Sequence, residues 1–239
     1  MAGTLYGVGV GPGDPELLTL KGARVVREAP VIAVPVSQAD GESYAFNVVA
    51  SLLRPEQRIL RLLFPMLKDR EAKQGYRAAA AASIAAELEA GQDVAFLTEG
   101  DPLVHSTFIY VLENLPAGLP VEIVPGVSSI NAAAADAVLP LVSADERLAV
   151  VPATFENLAE LKDLFAQFDT VVLLKFARIF DNLLDLLAEL GLVETALVVE
   201  RASHAGGRVV RDLASLRGRP IHYLSLLIVQ GGRTKERAR

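Results

Sequence analysis

The chain of 239 residues contains no cysteine. This absence excludes disulfides, thiol nucleophiles, iron–sulfur clusters and cysteine-ligated zinc within the chain. The three histidines, His105, His204 and His222, are scattered and lack the close spacing of metal ligands. We therefore expect that this protein uses no metal ion of its own in catalysis.

Long apolar runs and an excess of positive charge are also missing. No apolar segment approaches the ~20 residues that a membrane-spanning helix needs. The opening MAGTLYGVGV lacks the basic start of a secretory signal. The net charge of −6 argues against a general nucleic-acid binder. With 51% apolar and 22% charged residues, the composition is typical of a soluble folded protein, and we expect a cytoplasmic location.

Short apolar strands alternate with helical segments along the chain. Strands are predicted at 4–10, 31–36, 58–63, 93–97, 121–124, 148–151, 170–174, 196–200 and 223–229. This alternation predicts an α/β fold with two α/β domains, whose sheets are mixed and mostly parallel. The connector PAGLP (116–120) is rich in proline and glycine, so we expect domains at 1–116 and 117–239. Only the tail, 231–239, is expected to be disordered.

Three turns between a strand and a helix are rich in glycine: GPGD (11–14), EGDP (99–102) and PGVSS (125–129). Their spacing does not fit the dinucleotide motif G-x-G-x-x-G, because the third glycine would fall on Pro12, Asp14 or Glu16, and no Walker lysine follows. Ligands of α/β sheets commonly bind beyond the carboxyl ends of strands, where such turns collect. Each turn alone also fits ordinary helix capping, so the prediction of a ligand site depends on all three.

Together these turns resemble the tetrapyrrole methylase family. The resemblance is carried by VGVGPGDPELLTLKGARVV, LTEGDPLVHSTF and VEIVPGVSSINAAAA, and it spans nearly the whole chain. It implies two α/β domains with S-adenosylmethionine in the cleft between them, usually in a homodimer. The segments VIAVPVS, LFPMLKDR and YLSLLIV are similar to the C(20)-methyltransferases of precorrin-2 in particular. The implied reaction is methyl transfer to the C-20 meso carbon of precorrin-2, or of cobalt-factor II, in cobalamin biosynthesis.

The resemblance also implies site residues. The implied cofactor contacts are Pro12, Glu99, Gly100, Asp101, Val104, Ser128, Ser129, Lys175 and Ala202. The implied contacts to the tetrapyrrole polycarboxylate are Asp14, Ser106, Thr107 and Tyr223. Separately, the basic residues between Arg54 and Arg77 fit either a solvated helix face and loop or a rim that attracts the substrate carboxylates, with Arg54, Arg58 and Arg61 as candidate contacts. Methyl transfer from a sulfonium needs neither a metal nor a protein nucleophile, so positioning carries the catalysis.

A proton must leave the substrate, and Asp101 and His105 are candidates to assist. His105 stands where the precorrin-2 branch has a tyrosine, and the sequence does not choose between these groups.

Other readings stay open. The nearest are sibling tetrapyrrole C-methyltransferases that act on uroporphyrinogen III or a later precorrin, which the position of the added methyl group distinguishes. A more distant sibling methylates a modified histidine on a protein. Outside the family, the chain fits a nucleotide-binding oxidoreductase or a noncatalytic binding module less well, because the glycine spacing fails for the first and the three turns stay unexplained for the second.

Overall fold

The computed structural model describes residues 1–38, 41, 43–67, 69–154 and 157–231. The chain divides into two units, Met1–Ser129 and Ile130–Arg239, and each has its own five-stranded sheet covered by helices. In the described part of the chain, no helix is both long and apolar enough to cross a membrane. All but the first residue of the tail that we expect to be disordered lies outside the described residues.

The first unit is built on a wholly parallel sheet with the strand order β3-β2-β4-β1-β5. Its strands are β1 (Leu5–Gly9), β2 (Val31–Val36), β3 (Arg58–Leu63), β4 (Val94–Thr98) and β5 (Val121–Val124), and its helices are α1 (Leu20–Glu28), α2 (Tyr44–Val49), α3 (Arg70–Glu89) and α4 (Phe108–Asn114). Leu97 packs on one face with residues of α1 and α2, whereas Phe96 packs on the other with residues of α3 and α4. Because both faces are covered, the inner strands are apolar at nearly every position.

Two helices of this unit begin later than the sequence pattern predicts. The carboxylate of Asp14 accepts a hydrogen bond from Glu16 N, but it caps only a short 3-10 turn, Pro15–Leu17. Leu18 is extended, and the hydroxyl of Thr19 then accepts from Gly22 N and starts α1. Similarly, α4 begins at Phe108 rather than near 103, because the intervening residues form an irregular turn.

The second unit has a mixed sheet with the order β6-β7-β10-β8-β9. Its strands are β6 (Leu148–Pro152), β7 (Thr170–Leu174), β8 (Ala196–Glu200), β9 (Arg208–Val210) and β10 (Ser225–Gln230), and the helices that follow β5 are α5 (Ser129–Asp136), α6 (Leu158–Gln167) and α7 (Phe180–Glu189). Only β6 and β7 pair in parallel, and the other three pairings are antiparallel. Apolar residues of α6 and α7 cover one face, and Ile130 and Ala133 of α5 pack on the other.

The division between the units differs from the expected boundary at PAGLP. We expected β5 in the second domain, but it pairs with β1 over Leu5↔Val121 to Val8↔Val124 and completes the first sheet. PAGLP is therefore the connection from α4 to β5, and the chain passes to the second unit after Ser129. The short edge strand β9 was not predicted, because three residues are too few for a clear alternation.

Candidate active site at the glycine turns

The three glycine-rich turns follow three neighbouring parallel strands of the first sheet, β4, β1 and β5. The carboxyl ends of parallel strands meet at one edge, so the turns lie side by side. Gly100 N donates to Gly11 O over 2.8 Å, and the two glycines form an isolated bridge. A Cβ on Gly100 would lie 3.6 Å from Ser129 N. The sequence-predicted cofactor contacts of this unit are thus drawn from turns that touch each other.

Gly9 and Gly126 are needed because these backbones pack directly against each other. A Cβ added to Gly9 would lie 2.5 Å from Gly100 O and 2.6 Å from Gly126 N. One added to Gly126 would lie 2.7 Å from Gly9 Cα and closer still to Gly100 O. Neither position has room for a side chain, so these two glycines serve contact between the turns.

Asp101 connects two of the turns. Its Oδ1 accepts a hydrogen bond from Leu103 N over 2.9 Å, and its Oδ2 accepts from Gly126 N over 3.2 Å. Both carboxylate oxygens therefore already hold backbone amides, which favours a positioning role for this residue. Leu103 and Val104 follow with 53% and 42% of their surface exposed, so this turn presents an apolar surface. His105 is exposed and has a left-handed backbone, with φ +53°.

Glu99 differs from Asp101 in its environment. It directly follows β4, and its Oε1 is buried without a hydrogen-bond partner among the described residues. Burial raises the pKa of the Glu99 carboxyl from 4.5 to about 7. A buried polar atom without a partner is uncommon in folded proteins and often marks a functional position. The sequence indicated Glu99 as a cofactor contact but carried no sign of its altered acidity.

The predicted substrate contacts near these turns already have structural roles. The hydroxyl of Ser106 is buried, lies 2.7 Å from Thr98 Oγ1 and accepts from Phe108 N over 3.0 Å. Thr107 is the residue before the first turn of α4, and its side chain makes no capping bond there. Asp14 caps the 3-10 turn described above. These contacts account for Ser106 and Asp14 without a ligand.

Part of the predicted basic rim lies away from the turns. Arg58 begins the edge strand β3 and forms an ion pair with Glu87, and Arg54 lies just before it, 3.4 Å from Glu56. The carboxyl end of β3 is five residues further on, roughly 16 Å away at about 3.3 Å per residue. Arg54 and Arg58 thus lie at the opposite end of the sheet from the turns, a placement that weighs against both as contacts beside the turns. Arg61 is closer to the turn-bearing end and donates to Gly41 O over 2.9 Å.

In the second unit, three predicted residues share one sheet edge. Lys175 follows β7 with a left-handed backbone (φ +58°) and is exposed. Ala202 follows β8 and is buried, and the exposed Tyr223 precedes β10. Because β10 runs antiparallel to β7 and β8, with Leu226 opposite Leu174 and Ser225 opposite Glu200, all three residues lie at the same end of this sheet.

The same edge contains polar residues that sequence reasoning missed. The buried carboxylate of Glu200 accepts from Arg208 Nε and from His222 N. The Oγ of Ser225 is buried and has no hydrogen-bond partner among the described residues. Glu200 is the last residue of the otherwise apolar strand ALVVE. A charged residue at the end of a buried strand is the local signal that could have identified it as a site residue. No group of three or more His, Asp or Glu within the described residues is placed to hold a metal ion.

Residues 4–216 match the family model of tetrapyrrole (corrin/porphyrin) methylases. The cobalamin biosynthesis protein CobIJ of Mycobacterium tuberculosis is 39% identical over 98% of this chain, which spans only 47% of that protein. The chain therefore spans about half the length of this relative. The cobalt-precorrin-2 C(20)-methyltransferase of Salmonella typhimurium is 35% identical over 96% of this chain and 97% of its own length.

Solved structures agree with the sequence relatives. The uroporphyrin-III C-methyl transferase of Thermus thermophilus, complexed with S-adenyl homocysteine, has a TM-score of 0.66 and 27% identity, covering 95% of this chain and 92% of that one. The sequence match covers both sheets except β10, and the structural match extends over nearly the whole chain. The chain belongs to the tetrapyrrole (corrin/porphyrin) methylase family.

Proposed function

We propose that the protein transfers the methyl group of S-adenosylmethionine to the C-20 meso carbon of precorrin-2, or of cobalt-factor II, in cobalamin biosynthesis. The observation that carries this proposal is the 35% identity with the Salmonella cobalt-precorrin-2 C(20)-methyltransferase over nearly the full length of both chains. Membership of the methylase family argues against the oxidoreductase reading. The sibling tetrapyrrole activities differ from the proposed one in their substrate and in the carbon that receives the methyl group.

The residues at the glycine turns fit S-adenosylmethionine in their chemistry. Its ammonium, hydroxyl and amine groups donate hydrogen bonds, and the buried Oε1 of Glu99 is an acceptor without a partner among the described residues. Its apolar parts match the exposed side chains of Leu103 and Val104. The residues proposed to hold it are Pro12, Glu99, Gly100, Asp101, Val104, Ser128 and Ser129 in the first unit, and Lys175 and Ala202 in the second.

The protein's own contribution is mainly positional. When bound, S-adenosylmethionine supplies a methyl group on a positively charged sulfur, which is a strong electrophile. Asp101 holds the EGDP turn against the PGVSS turn through the amide of Gly126 and fixes its own turn through the amide of Leu103, and so keeps the binding surface rigid. Of the three arginines that the sequence indicated for the substrate carboxylates, Arg61 is the one that lies towards the carboxyl end of β3, and it is the one that we propose as a contact.

The deciding experiment is a methylation assay on the purified protein. It is incubated with S-adenosylmethionine and either precorrin-2, cobalt-factor II or uroporphyrinogen III, and carbon-labelled methyl groups are located by NMR. We expect one added methyl group at C-20, and the faster of the first two substrates identifies the metal-free or the cobalt route. Methylation at another carbon would move the protein to a sibling activity, and transfer to no tetrapyrrole would refute the proposal.

Two further expectations belong to this proposal. We expect a homodimer, which analytical ultracentrifugation of the purified protein measures directly. We also expect a cytoplasmic location, which fractionation of the source cells tests.

A further inference from the structure

We propose that the Glu99 carboxylate accepts the proton that leaves the meso carbon of the substrate during methylation. This inference rests on the proposed function. It assigns a chemical role to a group for which the sequence implies only a cofactor contact, and it adds Glu99 to Asp101 and His105 as candidate proton acceptors.

The proposed reaction releases one proton for each methyl group transferred. A carbon–carbon bond forms with an electron pair of the meso carbon, and the carbon–sulfur bond of the methyl donor breaks with its electron pair staying on sulfur. The hydrogen on the meso carbon leaves as a proton, and its bonding pair restores the conjugated system. No oxidant or reductant is needed, but a base must take the proton and pass it to solvent.

Glu99 lies at the sheet edge that carries the glycine turns. It is the first residue after β4 and directly precedes Gly100, whose N–H binds the GPGD turn. Its Oε1 is buried and has no partner in the described part of the chain, so the hydrogen-bonding capacity of that oxygen is unused. The two oxygens of Asp101, in contrast, already accept backbone amides, and using them for proton transfer would loosen the turns.

The acidity of Glu99 also suits proton transfer. Burial raises the pKa of its carboxyl to about 7, so both protonation states are populated near neutral pH. A general base works best when its pKa lies near the working pH.

The test compares Glu99→Gln, Glu99→Asp and the matched control Glu122→Gln. Glu122 lies in β5 of the same sheet and pairs with Lys21 at an exposed site, so its replacement makes the same chemical change away from the buried oxygen. We expect Glu99→Gln to lower kcat about 100- to 10,000-fold, the range for loss of a general base. Glu99→Asp should recover part of this loss, and the control should keep the wild-type kcat.

Two readouts separate proton transfer from a structural or cofactor-binding role. The affinity for S-adenosylhomocysteine, measured by calorimetry, should stay within about twofold in Glu99→Gln, because the glutamine side chain keeps an acceptor oxygen at this position but cannot take up a proton. The wild-type kcat should rise with pH up to about 7 and then level, and the residual activity of Glu99→Gln should lack this rise. Should Glu99→Gln fail to fold, Glu99→Asp serves for the affinity comparison, and its kcat should be lower than that of wild type at every pH while still rising with pH.

Several results would overturn the inference. One is a Glu99→Gln variant that keeps the wild-type kcat. Another is a Glu99→Gln variant that binds the cofactor more weakly but keeps the wild-type kcat at saturating S-adenosylmethionine, which would leave Glu99 as a cofactor contact. A carbon-13 NMR titration of the Glu99 carboxyl needs no substrate, and its signal is assigned because it is missing in Glu99→Gln. A pKa of this carboxyl near the ordinary 4.5 would also refute the inference. If the wild type methylates no tetrapyrrole, the proposed function fails first, and the wild-type assay alone reveals this.

Discussion

The two sheets of this protein gather their candidate site residues in different ways. In the first unit all four strand pairings are parallel, so the turns after β4, β1 and β5 meet at one edge. In the second unit three of the four pairings are antiparallel, so that edge combines the ends of β7 and β8 with the beginning of β10. A parallel sheet therefore concentrates one kind of turn, whereas the antiparallel pairings bring together residues from both ends of strands.

The turns of the first unit combine two uses of special backbone. Gly9 and Gly126 allow backbones to touch, and Gly100 has φ +65°. Left-handed backbone also occurs in non-glycine residues, in His105 (φ +53°) at the first edge and in Lys175 (φ +58°) and Arg201 (φ +53°) at the second. The comparison separates two demands: close packing, which requires glycine, and an unusual dihedral, which other residues adopt at a modest cost.

The largest expected effect on stability comes from placing a side chain where two backbones touch. Gly126→Ala would force a Cβ to within 2.7 Å of Gly9 Cα, so backbone must move, and we expect a loss of unfolding free energy of roughly 3 kcal/mol or more. Lys175→Gly should stay within about 1 kcal/mol of wild type, because it relieves strain while adding chain entropy to the unfolded state. Urea denaturation measures both. Similar losses in the two variants would contradict the comparison.

A second prediction contrasts the buried glutamates of the two units. Glu99 has a folded pKa of about 7 against 4.5, so its neutral form is favoured by folding. The free energy of unfolding is therefore highest below pH 4.5, where Glu99 is protonated in both states. It falls as the pH rises from 4.5 to about 7, and Glu99 causes no further change above that pH. Glu99→Gln removes this loss and should be more stable than wild type at pH 8, by an amount on the order of 3 kcal/mol that vanishes near pH 4.

Glu200→Gln is the partner experiment. Glu200 is held by Arg208 and by His222 N, so its replacement weakens a charge-assisted bond and should destabilise the protein at pH 8 by about 1–3 kcal/mol. Melting temperatures of wild type and both variants between pH 4 and 8 test the pair. A Glu99→Gln variant that is less stable than wild type throughout this range would show that its carboxylate has a favourable partner.

The smallest expected effect concerns the two ends of the first sheet. Arg61→Ala should raise the KM for the tetrapyrrole about three- to tenfold, equivalent to roughly 1 kcal/mol of lost contact with a carboxylate. Arg58→Ala is the control, because Arg58 lies at the amino end of the same strand and pairs with Glu87. Equal KM changes in both variants would mean that the turn-bearing edge does not face the substrate carboxylates.

Most strands could be predicted from the sequence, and the limits of helices less well. The strands at 58–63, 170–174 and 196–200 begin and end where the apolar runs do. Asp14 and Thr19 both have the chemistry of an N-cap, and which of them starts α1 depends on the extended conformation of Leu18 between them. Capping is local, but the choice between two adequate caps depends on how the helix packs.

The sequence by itself determined the α/β class, the three glycine turns and the family they resemble, because strand periodicity, turn chemistry and helix caps act over a few neighbouring residues. Only the tertiary structure decided that β5 lies beside β1, that Gly9 touches Gly126 and that Arg58 is at the far end of the sheet. It also decided the acidity of Glu99. These properties depend on strand pairing and on exclusion of water by residues far apart in the chain, which no local pattern records.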